Sequence, residues 1–179
     1  MPTNLLKVYP DLLDILHLAN HARTNSLRGV FNRDIERNVN FKFRLKQIHP
    51  ILIDGEATMS TLFNHLTREE IVETNAVGTF FKKRIFEKDR SMRLHWIKYH
   101  IEETKKDNIE IFSIIERDLK KRKDVTNTYI YDLKEEYVIV LEPQRSGNDY
   151  YLLSAYYLNK EYGHKTMQKK LKKKLNEVL

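Results

Sequence analysis

Apolar positions fall mostly at helical spacing in the first half of the chain and at strand spacing in the second. Residues 9–22 set Leu12, Leu13, Ile15, Leu16, Leu18 and Ala19 at roughly helical intervals, which predicts an amphipathic helix. Residues 23–38 are polar and carry Arg23, Arg28, Arg33 and Arg37, so they read as a linker ahead of the main domain. Phe41, Phe43 and Leu45 then alternate with Lys42, Arg44 and Lys46, predicting a strand with a basic outer face that Pro50 ends. Residues 57–66 place Met59, Leu62, Phe63 and Leu66 on one helical face, with His65 off that stripe. Thr67 followed by Glu70 matches a capping box, so a second short helix is expected there, with His65 at the junction. Residues 79–90 are basic and aromatic, and residues 92–97 suggest a short strand or turn.

The second half is simpler. Segments 109–115, 128–133, 137–141 and 150–157 each read as a strand, with turn-like separators at 134–136 and 145–149. Short connections between consecutive strands predict an antiparallel meander. Residues 160–179 predict a lysine-rich helix whose apolar stripe is Met167, Leu171, Leu175 and Val178. The expected fold class is α+β: an antiparallel meander sheet of about four strands flanked by helices, with an added N-terminal helical segment. Residues 1–40 form the extension and linker, and residues 41–179 the main domain.

Composition narrows the function classes. Lys plus Arg number 32 against 25 Asp plus Glu, a formal net charge of +7, which favours a polyanionic partner: nucleic acid or an anionic membrane surface. The chain contains no cysteine, which excludes disulfides, cysteine-ligated metals and thiol nucleophiles and fits a reducing cytoplasm. No run approaches the roughly 18 apolar residues of a membrane span. The N-terminus lacks a basic start followed by a long apolar run, so it does not read as a secretion signal. Five glycines are too scattered for a glycine-rich phosphate loop. His17 and His21 stand four apart but have no evident third ligand, and neither a metal nor a cofactor is expected.

Several runs, in order, resemble one family. Leu62, Phe63, Asn64, His65, Leu66 and Thr67 resemble a helix ending in His-Leu-Thr. Arg90, Arg93 and Trp96, with Ile101 and Glu102 following, resemble an Arg-x-x-Arg-Ile-x-Trp signature and its Ile-Glu. A strand at 137–141 follows, then Leu152, Leu153, Ser154, Ala155 and Tyr156, similar to Leu-Leu-Thr-Ala-Tyr, and a basic helix after His164. Over roughly residues 58–175 the chain therefore resembles the phage-related nucleases of the barnase–EndoU–colicin–RelE-like group. Ser154 stands where that family often has threonine, and both carry a hydroxyl. The resemblance implies a four-stranded antiparallel sheet flanked by helices, a RelE/barnase-like ribonuclease domain over 41–179, and metal-independent RNA cleavage by the ribose 2′-hydroxyl. It also implies a toxin of a phage or mobile element, with RNA as substrate and an antitoxin or immunity protein as partner.

Such chemistry needs a base for the 2′-hydroxyl, a cation on the phosphate and an acid for the leaving oxygen. His65 is the candidate base, with a surface or capping histidine as the plain alternative. Arg93 and Arg90 are candidate phosphate holders, alternatively a solvated basic turn; Arg84, Lys82 and Lys83 are further candidate RNA contacts. Ser154, inside an apolar strand, either bonds neighbouring backbone or the scissile phosphate. His95 is a candidate acid: beside a core Trp96 it is expected to face outward. Tyr129 and Tyr131 share a strand face and either stack on a base or pack in the core. Two other readings stand beside the ribonuclease. One is a non-catalytic nucleic-acid-binding module using the basic stretches Lys82–Arg84, Lys120–Lys123 and Lys169–Lys174 as phosphate contacts. The other is an interaction protein that docks through residues 1–22 and the C-terminal helix.

Overall fold

The computed structural model describes residues 3–51, 58–104, 106–119 and 122–179. It is α+β, and the expected meander is present: β5 (Ile109–Asp118), β6 (Lys123–Asp132), β7 (Tyr137–Pro143) and β8 (Tyr150–Tyr157) pair consecutively and antiparallel. The sheet is larger than four strands. β1 (Lys42–Phe43) and β2 (Lys46–Pro50) extend it to six, in the order β1-β2-β8-β7-β6-β5, with β2 parallel to β8. The single strand expected from 41 to 46 is thus a hairpin. Arg44 and Leu45 take positive φ values of 47° and 73° at its turn, and Leu45 points into solvent. Pro50 closes β2, as expected of a strand-ending proline; β1 pairs only at residues 46 and 47, so the missing N–H interrupts no ladder on that side.

The N-terminal helix is displaced from its expected place. Residues 9–19 are irregular, because Asn4 takes over their backbone groups: its amide nitrogen donates to the Asp14 carbonyl at 3.0 Å, and its oxygen accepts from the Asp14 N–H at 2.7 Å. The expected linker is instead α1 (Asn20–Phe31), continued by a π-helical turn over Asn32–Glu36. Its buried stripe is Leu27, Val30, Phe31 and Ile35. The arginines that made this stretch look solvated cover apolar surface: Arg23 lies 3.9 Å over the Phe86 ring and Arg28 4.4 Å over Phe63. Leu13, Ile15 and the α1 residues join the same core as the sheet.

α2 (Met59–Thr67) forms where expected, with Thr58 accepting from the Thr61 N–H at 3.1 Å as N-cap. The second helix expected at Thr67 is a strand. Thr67 donates its hydroxyl back to the Phe63 carbonyl at 2.8 Å, and β3 (Arg68–Thr74) pairs with β4 (Phe80–Phe86) as a separate two-stranded sheet. Glu70, expected to complete the capping box, instead meets Lys82 across this hairpin at 2.7 Å. Asn75 closes the turn by accepting from the Val77 and Thr79 N–H groups. α3 (Lys88–Ser91) and α4 (Trp96–Ile101) flank residues 92–95, which form the turn of the two alternatives expected there, while Trp96 and Ile97 already belong to α4.

α5 (Glu161–Leu171) is shorter than the expected helix. Leu175 leaves it to donate its N–H to the Ser113 carbonyl on β5 at 2.8 Å. α5 covers one face of the meander, and α1, α2 and α4 pack on the other. No helix among the described residues is long and apolar enough to cross a membrane.

Candidate functional site

Sequence places Arg90 on the one-turn helix α3, and Glu87 fixes that helix by accepting from the Asp89 and Arg90 N–H groups at 3.0 and 2.7 Å. The Arg90 side chain runs under the C-terminal end of α2. Its Nη1 donates to the His65 carbonyl at 2.7 Å and to the Arg68 carbonyl at 3.3 Å, satisfying oxygens that the end of the helix leaves open. Burial lowers its pKa from the ordinary arginine value, partly offset by Glu87, Tyr137 and Glu69. Its Nε is buried and has no hydrogen-bond acceptor among the described residues. Arg90 lines a cleft of about 310 Å³ together with Glu69, Glu87, Tyr156, Tyr157, Lys160 and Tyr162.

β8 and the start of α5 form the opposite wall. Burial and the Glu116 carboxylate push the Tyr156 hydroxyl up to about 12, against the pull of Arg90, so it remains a hydrogen-bond donor at neutral pH. Tyr157 rests on Arg93, whose guanidinium carbon lies 3.9 Å from the ring centre. Tyr162 is exposed at the rim.

His65 stands on the other side of Arg90. Its Nδ1 is 3.3 Å from Arg84 Nη1. A guanidinium only donates, so Nδ1 accepts and the proton of the neutral ring sits on Nε2. In this arrangement Nδ1 of His65 is engaged.

The expected site residues do not all converge. His65, Arg84 and Arg90 come together by direct contact. Arg93 joins them indirectly, as the underlay of Tyr157; its side chain is mostly buried, with Nη1 on the Asp89 carbonyl at 2.9 Å. Lys82 and Lys83 lie on the hairpin, paired to Glu70 and Glu73 at 2.7 and 3.5 Å.

Ser154, Tyr129 and Tyr131 share the sheet face under α5. Ser154 pairs with Val140 beside a bulge, and both tyrosine rings are buried, so neither presents a face for a base. Tyr129 instead donates to Glu116 at 2.5 Å and accepts from Lys170 at 2.7 Å. His95 does not face outward. It is buried with Trp96, because the chain around Val8 and Asp11 folds over it, and burial pushes its pKa down to about 4. Of the lysines at 120–123, Lys120 and Lys121 lie outside the described residues.

Sequence reasoning missed Glu69, Lys160 and Tyr162. Reading Thr67 to Glu70 as a helix start hid the strand that turns Glu69 into the cleft. Among the described residues no group of three or more histidines and carboxylates is placed to hold a metal ion. Comparison with family models, curated proteins and solved structures finds no match to this chain.

Proposed function

We propose that the protein is an endoribonuclease that binds RNA in the cleft at Arg90 and cleaves it through the ribose 2′-hydroxyl. The observation that supports this most is Arg90 itself: a guanidinium held in place at a cleft wall, beside His65 and Arg84. A phosphate oxygen is the acceptor such a donor suits. Lys160 adds positive charge, and the exposed Tyr162 ring offers a stacking surface for a base. The nucleophile belongs to the RNA, so the chain needs no activated serine or cysteine. The 2′-oxygen bonds to phosphorus, the 5′-oxygen leaves with a proton, and a 2′,3′-cyclic phosphate results. The resemblance to phage-related nucleases extends this reading to a metal-independent toxin of a mobile element, acting in the cytoplasm and held in check by an antitoxin or immunity protein.

Purified protein is incubated in EDTA with total RNA and, in parallel, with a translating extract, beside His65→Ala. The expected outcome is cleavage leaving cyclic phosphate ends, weakened in the variant because Arg84 loses its ring partner. A second reading, binding without cleavage, draws on the saturation of Arg90 Nη1 and Arg93 Nη1 by backbone carbonyls. Its mark is intact RNA together with binding that weakens steeply with salt.

A further inference from the structure

Within the ribonuclease reading, on which this rests, we infer that Glu69 is the proton acceptor of the cleft. The reaction needs a base beside the phosphate site, and three of the groups near Arg90 are engaged or unsuited. His65 Nδ1 accepts from Arg84. The Glu87 carboxylate caps α3 with both oxygens. Tyr156 holds its own proton.

Glu69 differs from all of these. It lines the cleft, is half-buried, and makes no hydrogen bond or ion pair among the described residues. The cation nearest to it on its own hairpin face, Lys83, is drawn to Glu73 at 3.5 Å. The Glu69 backbone is held rigidly, in register with Ile85 in the β3–β4 ladder, so the carboxylate projects from a strand and not from a loop.

The step balances without a further reagent. Glu69 takes the 2′-hydroxyl proton as the 2′-oxygen bonds to phosphorus. The bond from phosphorus to the 5′-oxygen breaks, and that oxygen takes a proton from water. Arg90 and Lys160 meet the charge that develops on the phosphate.

Charged and titratable groups surround Glu69 in the cleft and on the hairpin face. They are Glu87 and Arg90 from α3 and its cap, Lys83 and Glu73 on the hairpin face, Tyr156 and Tyr157 from β8, and Lys160 and Tyr162 from the start of α5. A carboxylate accepts a proton only in its ionised form, so the wild-type rate is expected to fall toward acidic pH.

The test measures RNA cleavage and RNA binding for wild type, Glu69→Gln, Glu69→Asp and Glu73→Gln across acidic to neutral pH. Glu69→Gln is expected to bind RNA within twofold of wild type, to cleave roughly 100- to 10,000-fold more slowly, and to lose the acidic limb of the profile. Glu69→Asp is expected to keep that limb at a reduced rate, and Glu73→Gln to behave as wild type. Cleavage by Glu69→Gln at the wild-type rate overturns the role of Glu69 and leaves the ribonuclease reading standing. Absence of cleavage by wild type, in total RNA and in translating extract alike, overturns both.

Discussion

On one face of the meander β7 buries Tyr137, Ile139 and Leu141; on the other it buries Val138 and Val140. Among the described residues the first face belongs to a cluster of 23 buried apolar residues, in which α1, α2, α4, β1, β2 and the N-terminal segment join β6, β7 and β8. The second joins only eight, and α5 supplies one of them, Met167. Their polar contents differ as well. Under the helices, Asp132 and His100 form a fully buried pair at 2.9 Å, completed by the Tyr9 hydroxyl at 2.7 Å. Under α5, Glu116 gathers Tyr129, Asn127 and Lys170 where water still reaches. One face holds the larger buried cluster; the other is covered by a basic helix that starts at the cleft.

The comparison is sharpest at Asp132. Burial raises its pKa, but the His100, Tyr9 and Glu135 N–H hydrogen bonds outweigh that and leave it below the ordinary aspartate value. Asp132→Ala strands a buried histidine and is expected to cost about 3–5 kcal/mol, read by urea unfolding. Next come the apolar anchors. Leu141→Ala is expected to cost about 4 kcal/mol and Met167→Ala about 2, since α5 can settle onto the smaller side chain. Equal losses would erase the contrast between the faces.

His95 gives the pH dependence. Its folded value of about 4 lies below the ordinary 6.5. Between those values the unfolded chain binds a proton that the folded one does not, so stability falls as pH drops through that window. His95→Leu is expected to flatten this slope, measured as unfolding midpoints at neutral and acidic pH. A double-mutant cycle of Glu116→Gln and Lys170→Met should report a coupling of about 1 kcal/mol, because the pair is partly solvated. Smallest of all, Phe80→Ser at the exposed hairpin tip should change stability by less than about 0.5 kcal/mol.

Where one local rule governs a segment, the sequence was a reliable guide. The four strands of the meander, the helix carrying His65 and a basic helix near the end follow from apolar period and turn residues alone. Local rules failed where a distant group outbid them. Residues 9–19 have a helical pattern, but Asn4 occupies the N–H and the carbonyl of Asp14 at their centre. Residues 20–36 have a linker's composition, yet they are helical because Phe63 and Phe86 give their arginines apolar surface to lie on. Thr67 and Glu70 satisfy a helix start, yet the partner strand at 80–86 and the turn at Asn75 make that segment a hairpin. That last difference reshaped the candidate site, since only a strand at Arg68–Thr74 brings Glu69 beside Arg90. The sequence by itself determined the charge, the absence of thiol chemistry, the meander and the identity of Arg90 and His65 as candidates. Tertiary structure alone decided which of them meet, because contacts across many residues of chain follow from packing and not from spacing.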